Sequence, residues 1–183
     1  MTGFNQPFPM TSFFNGYQLV DGVAMHRDNP VHFQIPPDVI KRNLRPGQYV
    51  ELRIDSPRFS VHEDAAETCE CPSCSGVMTK PILRHQHPVS LFPVPKQDVP
   101  SRGWGEDFWV RITDRRNESF EGIVDNLLVE SRLHGLKHGD RITFHQNHIL
   151  AVHDVHRHEL VAEMNVADLK ELAQWVAQIR RRE

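Results

Sequence analysis

Cysteine is scarce in this chain of 183 residues: there are three, and all fall within the run Cys69-Glu-Cys71-Pro-Ser-Cys74. Three thiols so close together cannot staple distant parts of a fold, so a disulfide framework is excluded. No sign of charge dominates either. Lys and Arg number 21 against 24 Asp and Glu, a formal net charge of −3, and general polyanion binders carry a clear basic excess instead. No run of about 18 apolar residues is present, which excludes a transmembrane helix. The N-terminus, Met1-Thr-Gly-Phe-Asn-Gln-Pro-Phe-Pro9, has neither a basic region nor a continuous apolar one, so a secretory signal is not expected. Together with the unpaired thiols this predicts a reduced, cytoplasmic protein. Also missing are a Gly-rich phosphate loop, a G-x-S-x-G elbow and an H-E-x-x-H pair, which removes the common nucleotide-binding, serine-hydrolase and metalloprotease signatures.

What is there begins with size. A chain of this length makes one ordinary domain with a real core. Residues 1–16 mix Pro, Asn, Gly and Phe without periodicity and read as irregular, leaving 17–183 as a single α+β domain. Val31, Phe33 and Ile35 alternate with polar residues, which predicts a half-buried strand. Pro36-Pro37-Asp38 opens a short helix with Val39, Ile40 and Leu44 inward, and Pro46-Gly47 turns into a strand from Tyr49 to Ile54. Alternation resumes at Phe108, Val110 and Ile112, then over Phe120–Val124, and again at Ile142 and Phe144 after the turn His138-Gly139-Asp140. Ile149, Leu150 and Val152 predict one more strand, hairpinned to its predecessor through His145–His148. Asn165 reads as a helix N-cap, with Met164 and Leu169 as a hydrophobic staple. The stripe Leu169, Leu172, Val176, Ile179 beside Trp175 predicts a helix docked on the sheet, and Arg180-Arg181-Arg182 sits at its negative end. The segment Leu44-Arg-Pro-Gly47 before one strand echoes Leu136-Lys-His-Gly139 before another, though a turn feeding a strand is a common pattern. The expected fold is a curved antiparallel sheet or small open β-barrel with a C-terminal helix.

Between about 56 and 105 the periodicity fails, and this stretch holds the cysteines, His85-Gln-His87 and a run of prolines. A long structureless insertion inside a small domain is functional, disordered or tied down. Zinc would tie it down, because the ion takes thiolate and imidazole ligands in a tetrahedron. Cys71-Pro-Ser-Cys74-Ser-Gly76 has the parts of a zinc knuckle, a rigid turn with a permissive exit. His85 and His87, two apart on an extended segment, project to one side. Three ligand sets compete: Cys71, Cys74, His85 and His87; Cys69, Cys71 and Cys74 with one histidine; or three ligands and a water. The third cysteine beside the knuckle favours the second set. The adjacent His62-Glu63 does not match the H-x-E of zinc deaminases.

Seven of the twelve histidines lie between His134 and His158. They read as polar residues of strand ends and turns, with His145 and His148 the pair closest to a metal- or proton-binding arrangement. Gly103-Trp104-Gly105 and Trp109 read as core-edge packing more readily than as a ligand surface.

Phe108-Trp-Val-Arg-Ile-Thr113, Phe120-Glu-Gly-Ile-Val-Asp-Asn126 and Gly135-Leu-Lys-His-Gly-Asp-Arg-Ile-Thr-Phe144, ending in His148-Ile149, resemble the small bacterial domains of the YegJ type. Ile35-Pro36 and Leu44-Arg-Pro-Gly-Gln-Tyr-Val50 resemble the segment that precedes that core. The resemblance covers residues 31–54 and 108–150. It implies a compact, mostly antiparallel β fold and brings no activity or catalytic residues with it.

The expected function is a non-enzymatic, zinc-binding interaction module with a protein partner. The alternative is a zinc-dependent hydrolase-like enzyme with an open coordination position and Glu63 or Glu67 as general base. Nucleic-acid binding would require Arg111, Arg115 and Arg116 to share a face.

Overall fold

The computed structural model describes residues 11–14, 17–56, 104–129 and 131–181. Among the described residues six strands form one antiparallel sheet: β1 (Gln18–Leu19), β2 (Tyr49–Ser56), β3 (Trp104–Arg116), β4 (Ser119–Val124), β5 (Arg141–His145) and β6 (Ala151–Val152). The order is β1-β2-β3-β4-β5, with β6 pairing on β2 beside β1. The sheet is nearly closed, barrel-like with an unsealed seam, and helices complete an α+β fold. Among the described residues no helix is long and apolar enough to cross a membrane.

Period-two alternation builds the core. Val50, Leu52 and Ile54 on β2 face inward, as do Phe108, Val110 and Ile112 on β3, and all are buried. Phe120 and Val124 on β4 and Ile142 and Phe144 on β5 close the same cluster, with the Phe120 and Phe144 rings stacked 5.5 Å apart. Each such side chain removed from water is worth about 1.5–3 kcal/mol. Two devices curl the sheet. A register shift between Ile112 and Asp114 increases the local twist. Gly122 then lets β3 and β4 approach closely: a Cβ there would stand 2.4 Å from Val110 Cγ1 and 2.8 Å from the Arg111 carbonyl.

The echo between the two Leu-x-x-Gly turns extends to their hydrogen bonds. Gly47 N–H donates to Ile112 O at 2.8 Å and Ile112 N–H returns to Gln48 O at 2.9 Å. Gly139 N–H donates to Val124 O at 2.8 Å and Val124 N–H returns to Asp140 O at 3.0 Å. Inside each turn a side-chain oxygen, Gln48 Oε1 or Asp140 Oδ2, accepts the N–H of Arg45 or Lys137 at 2.8 Å. Both glycines have left-handed backbones, with φ of 94° and 88°, which L side chains rarely adopt. Leu44 and Leu136 are buried alike. One turn geometry thus launches β2 along β3 and β5 along β4.

The helices are α1 (Gly22–Asp28), α2 (Asp38–Arg42), α3 (Ser131–His134), α4 (Arg157–Glu163) and α5 (Val166–Ile179). Asp21 caps α1 by accepting the Ala24 N–H at 2.9 Å. Asn165 caps α5 as its sequence predicts, accepting the Asp168 N–H at 2.9 Å.

Three expectations are corrected. Residues 31–35 form no strand. Val31 is 76% exposed, and the segment is fastened as a turn by Phe33 N–H to Asn29 O and by His26 Nδ1–H to Phe33 O. Prolines at 30, 36 and 37 bracket it and deny it a ladder. The strand after His148 is real but pairs with β2, Val50 opposite Val152 and Glu51 opposite Ala151, so it makes no hairpin with β5. Finally, α5 is held through α2 rather than laid on the sheet. Asp168 accepts from Arg42 at 2.5 Å and from the Asn43 and Asn165 side-chain amides at 3.0 Å each, while Glu171 takes the other side of Arg42 at 2.5 Å. Those donors hold the Asp168 carboxyl below its ordinary range. No apolar residue of α5 joins the buried core cluster, which takes Leu160 from α4 instead.

Candidate functional site

Two places in the fold concentrate chemistry. The first is the rim where β2 ends and β3 begins. Ser56 and Trp104 are paired Cα partners, the last rung of an eight-rung ladder that starts at Tyr49 and Arg111. The two residues that flank positions 57–103 therefore lie side by side. Cys69, Cys71, Cys74, His85 and His87, with Glu63 and Glu67, all lie in that interval and so outside the described residues. Among the described residues no group of three or more His, Cys, Asp or Glu is placed to hold a metal ion.

The second place is the seam, and its chemistry is histidine. Among the described residues the outer edge of β5 meets no neighbouring strand, yet two of its outward N–H groups are satisfied. Thr143 N–H donates to Thr11 Oγ1 at 2.9 Å, and His145 N–H donates to His148 Nδ1 at 3.1 Å. Side-chain acceptors thus blunt an edge that would otherwise offer itself for pairing. His145 Nδ1 accepts in turn from Asn147 N–H at 3.2 Å, so the two histidines cap the turn 146–148 reciprocally.

The same use of Nδ1 recurs. His134 Nδ1 accepts Leu136 N–H at 3.0 Å, and His153 Nδ1 accepts Val155 N–H at 3.3 Å. Histidine at i holding the N–H at i+2 does what Asp or Asn does in an Asx-turn. A ring that accepts at Nδ1 carries its proton on Nε2, and two of these protons point at carboxylates: His134 to Glu106 at 3.3 Å and His145 to Glu118 at 3.2 Å. Burial pushes the His134 ring below the usual imidazole range, partly offset by Glu106. Burial also pushes His148 down to about 4, against the opposing pull of Asp21. Both rings are neutral at pH 7.

Beside this turn lies a cleft of about 510 Å³, lined by Thr11, Ser12, Phe13, Tyr17, Leu19 and His148 among others. A smaller one of about 190 Å³ lies near His134 and Arg141. On the outer face of β2 and β3, Tyr49 stacks on His156 at 5.6 Å and Trp109 meets His153 edge-on at 5.1 Å. The remaining histidines of the cluster, His138 and His158, are exposed. The histidine-rich third is therefore mostly turn and cap machinery, as their places at strand ends predict. What the sequence did not disclose is the acceptor role of Nδ1; its trace is a histidine two residues before a main-chain N–H that the chain reversal strips of a ladder partner.

The three cations of the nucleic-acid reading are divided. Arg111 pairs with Ile123 and Arg116 with Ser119 on the outer side of the sheet, while Arg115 pairs with the buried Phe120. The Arg115 guanidinium lies over the Phe120 ring and donates to the carbonyls of Arg42 and Leu44. It is committed to holding α2.

No family model, no curated protein and no solved structure matches the chain.

Proposed function

We propose that this protein is a zinc-stabilised binding module, in which the sheet is a rigid stand and residues 57–103 are the presented element. The pairing of Ser56 with Trp104 carries the reading. A long excursion whose two ends are clamped side by side loses closure entropy once, at the rim, and further order inside it must come from its own contacts. Three thiols and two imidazoles within that excursion are the donor set with which a metal supplies such contacts. Cys69, Cys71 and Cys74 with His85 or His87 would complete a closed tetrahedron, which leaves no position for a reacting water and favours binding over catalysis. Four histidines, His134, His145, His148 and His153, support the same division of labour, since their Nδ1 atoms are occupied by main-chain N–H groups. The occupant of the module is a protein surface.

Elemental analysis of the untagged protein and of Cys71→Ser/Cys74→Ser tests this. One zinc per chain, lost in the variant together with a lower melting temperature, supports the module. One zinc lost with no change in melting temperature points to an open, reactive site and to the enzyme alternative. A metal-free wild type contradicts both.

A further inference from the structure

We propose that the turn joining β5 to β6 is an acid-sensitive latch, in which the rings of His145 and His148 hold the outer edge of β5 closed and a proton on Nδ1 of His148 releases it.

The latch consists of two reciprocal bonds, His145 N–H to His148 Nδ1 at 3.1 Å and Asn147 N–H to His145 Nδ1 at 3.2 Å. Protonating His148 Nδ1 sets that N–H against the His145 N–H at 3.1 Å, turning an attraction into a repulsion. Burial keeps the proton off His148 until the pH is acid, and a neighbouring carboxylate partly opposes that effect. Glu118, in the turn between β3 and β4, already takes His145 Nε2–H at 3.2 Å, and Asp21 at the head of α1 attracts positive charge on His148. Positive charge on His145 would act with burial in opposing a proton on His148. On the β2 side, Glu51 receives Leu150 N–H at its main-chain carbonyl, and burial raises its own carboxyl. The segment that follows is anchored by Ile149 in the core, by the two rungs of β6 on β2 and by His153 N–H to Tyr49 O at 3.0 Å, so the release is confined to the turn itself, against which α1 leans where Gly22 approaches the Asn147 carbonyl. Release would bare the His145 and Asn147 amides and widen the cleft beside His148.

The test is a pH titration of the whole protein by NMR, following the imidazole nitrogens and the His145 and Asn147 amides, together with unfolding curves from pH 7 to pH 4. In wild type, His148 is expected as the Nε2–H tautomer at pH 7, its protonation moving the His145 amide in step while Gly122 and Phe144 stay in place. The linked loss in the folding equilibrium is on the order of 100-fold, since the ring binds its proton near pH 4 when folded and near 6.5 when unfolded. His145→Asn/His148→Asn places Oδ1 where Nδ1 was, keeping the acceptors without the titration. That variant should lose much less stability over the same interval, the carboxylates common to both proteins accounting for the rest. Equal acid losses in the two proteins, a His148 that titrates near 6.5, or a His145 amide indifferent to its protonation would overturn the latch. Should the variant not fold, the wild-type titration decides alone.

Discussion

Ser56 and Trp104 face each other across the last rung of the β2–β3 ladder, so the residues flanking 57–103 are already paired as the end of a hairpin. A two-residue Asn-Gly turn satisfies the same geometry. Replacing 57–103 by Asn-Gly should therefore leave the sheet intact. The amide signals of Val50–Ile54 and Phe108–Ile112 are expected to keep their dispersion, and collapse of that dispersion would show that the excursion contributes to the core.

Lys41 is fully buried in α2 and its ammonium meets no hydrogen-bond partner among the described residues. Burial lowers its pKa, while Asp38 and Asp21 pull the other way. The folded state thus holds its proton less firmly than the unfolded chain, so this group costs stability at neutral pH and the cost fades as pH rises towards 10.5. Lys41→Met keeps the stem and removes the buried polar end. It should stabilise the protein by about 1–3 kcal/mol in urea unfolding; a destabilised variant would mean that the amine has a partner that matters.

Arg42, Asn43, Asn165 and Asp168 form one network between α2 and α5. Asn165→Ala removes the cap and should cost about 1 kcal/mol. Asp168→Ala should lower the melting temperature further, because it takes an acceptor from Arg42, Asn43 and Asn165 at once. Arg42→Ala combined with Asp168→Ala should be no worse than the more damaging single change, as residues sharing partners do not add. Additive losses in that cycle would separate the two residues. The Asp168 carboxyl titrates below its ordinary value when folded, so its contribution is present at neutral pH and lost as pH falls through the acid range.

Two glycines should fail for different reasons. Gly122→Ala drives a methyl into Val110 and the Arg111 carbonyl, and should splay β3 from β4. Gly47→Ala meets nothing within 4 Å but must adopt φ near 94°, at a cost of about 1 kcal/mol. Amide shifts across the β3–β4 ladder are expected to move in the first variant and stay in the second; movement in both would refute the distinction.

The long strands were legible because their inward residues recur every second position, as Val50, Leu52 and Ile54 do, and that period survives any context. The cap at Asn165 was legible because it is local chemistry. The partners of short elements were not. Gln18–Leu19 and Ala151–Val152 become strands only because β2 lies beside them, a fact of topology rather than of pattern. Residues 31–35 carried the right alternation and still lost, since neighbouring prolines and the His26 ring settled the backbone elsewhere. The stripe on α5 predicted a dock on the sheet, but Asp168 and Glu171 reach Arg42 on α2 instead. The histidines were recognisable as turn residues, while the use of Nδ1 as the acceptor depends on which N–H the folded chain leaves exposed.

The most direct measurement is the absorption spectrum of the protein loaded with Co²⁺ in place of zinc, for wild type and for Cys71→Ser/Cys74→Ser. One equivalent is expected to bind in a zinc-stapled protein, with intense visible bands of a tetrahedral ion and thiolate-to-metal charge transfer in the near ultraviolet, both abolished in the variant. A weak spectrum of an octahedral ion, unchanged by the two substitutions, would contradict the zinc-stapled module.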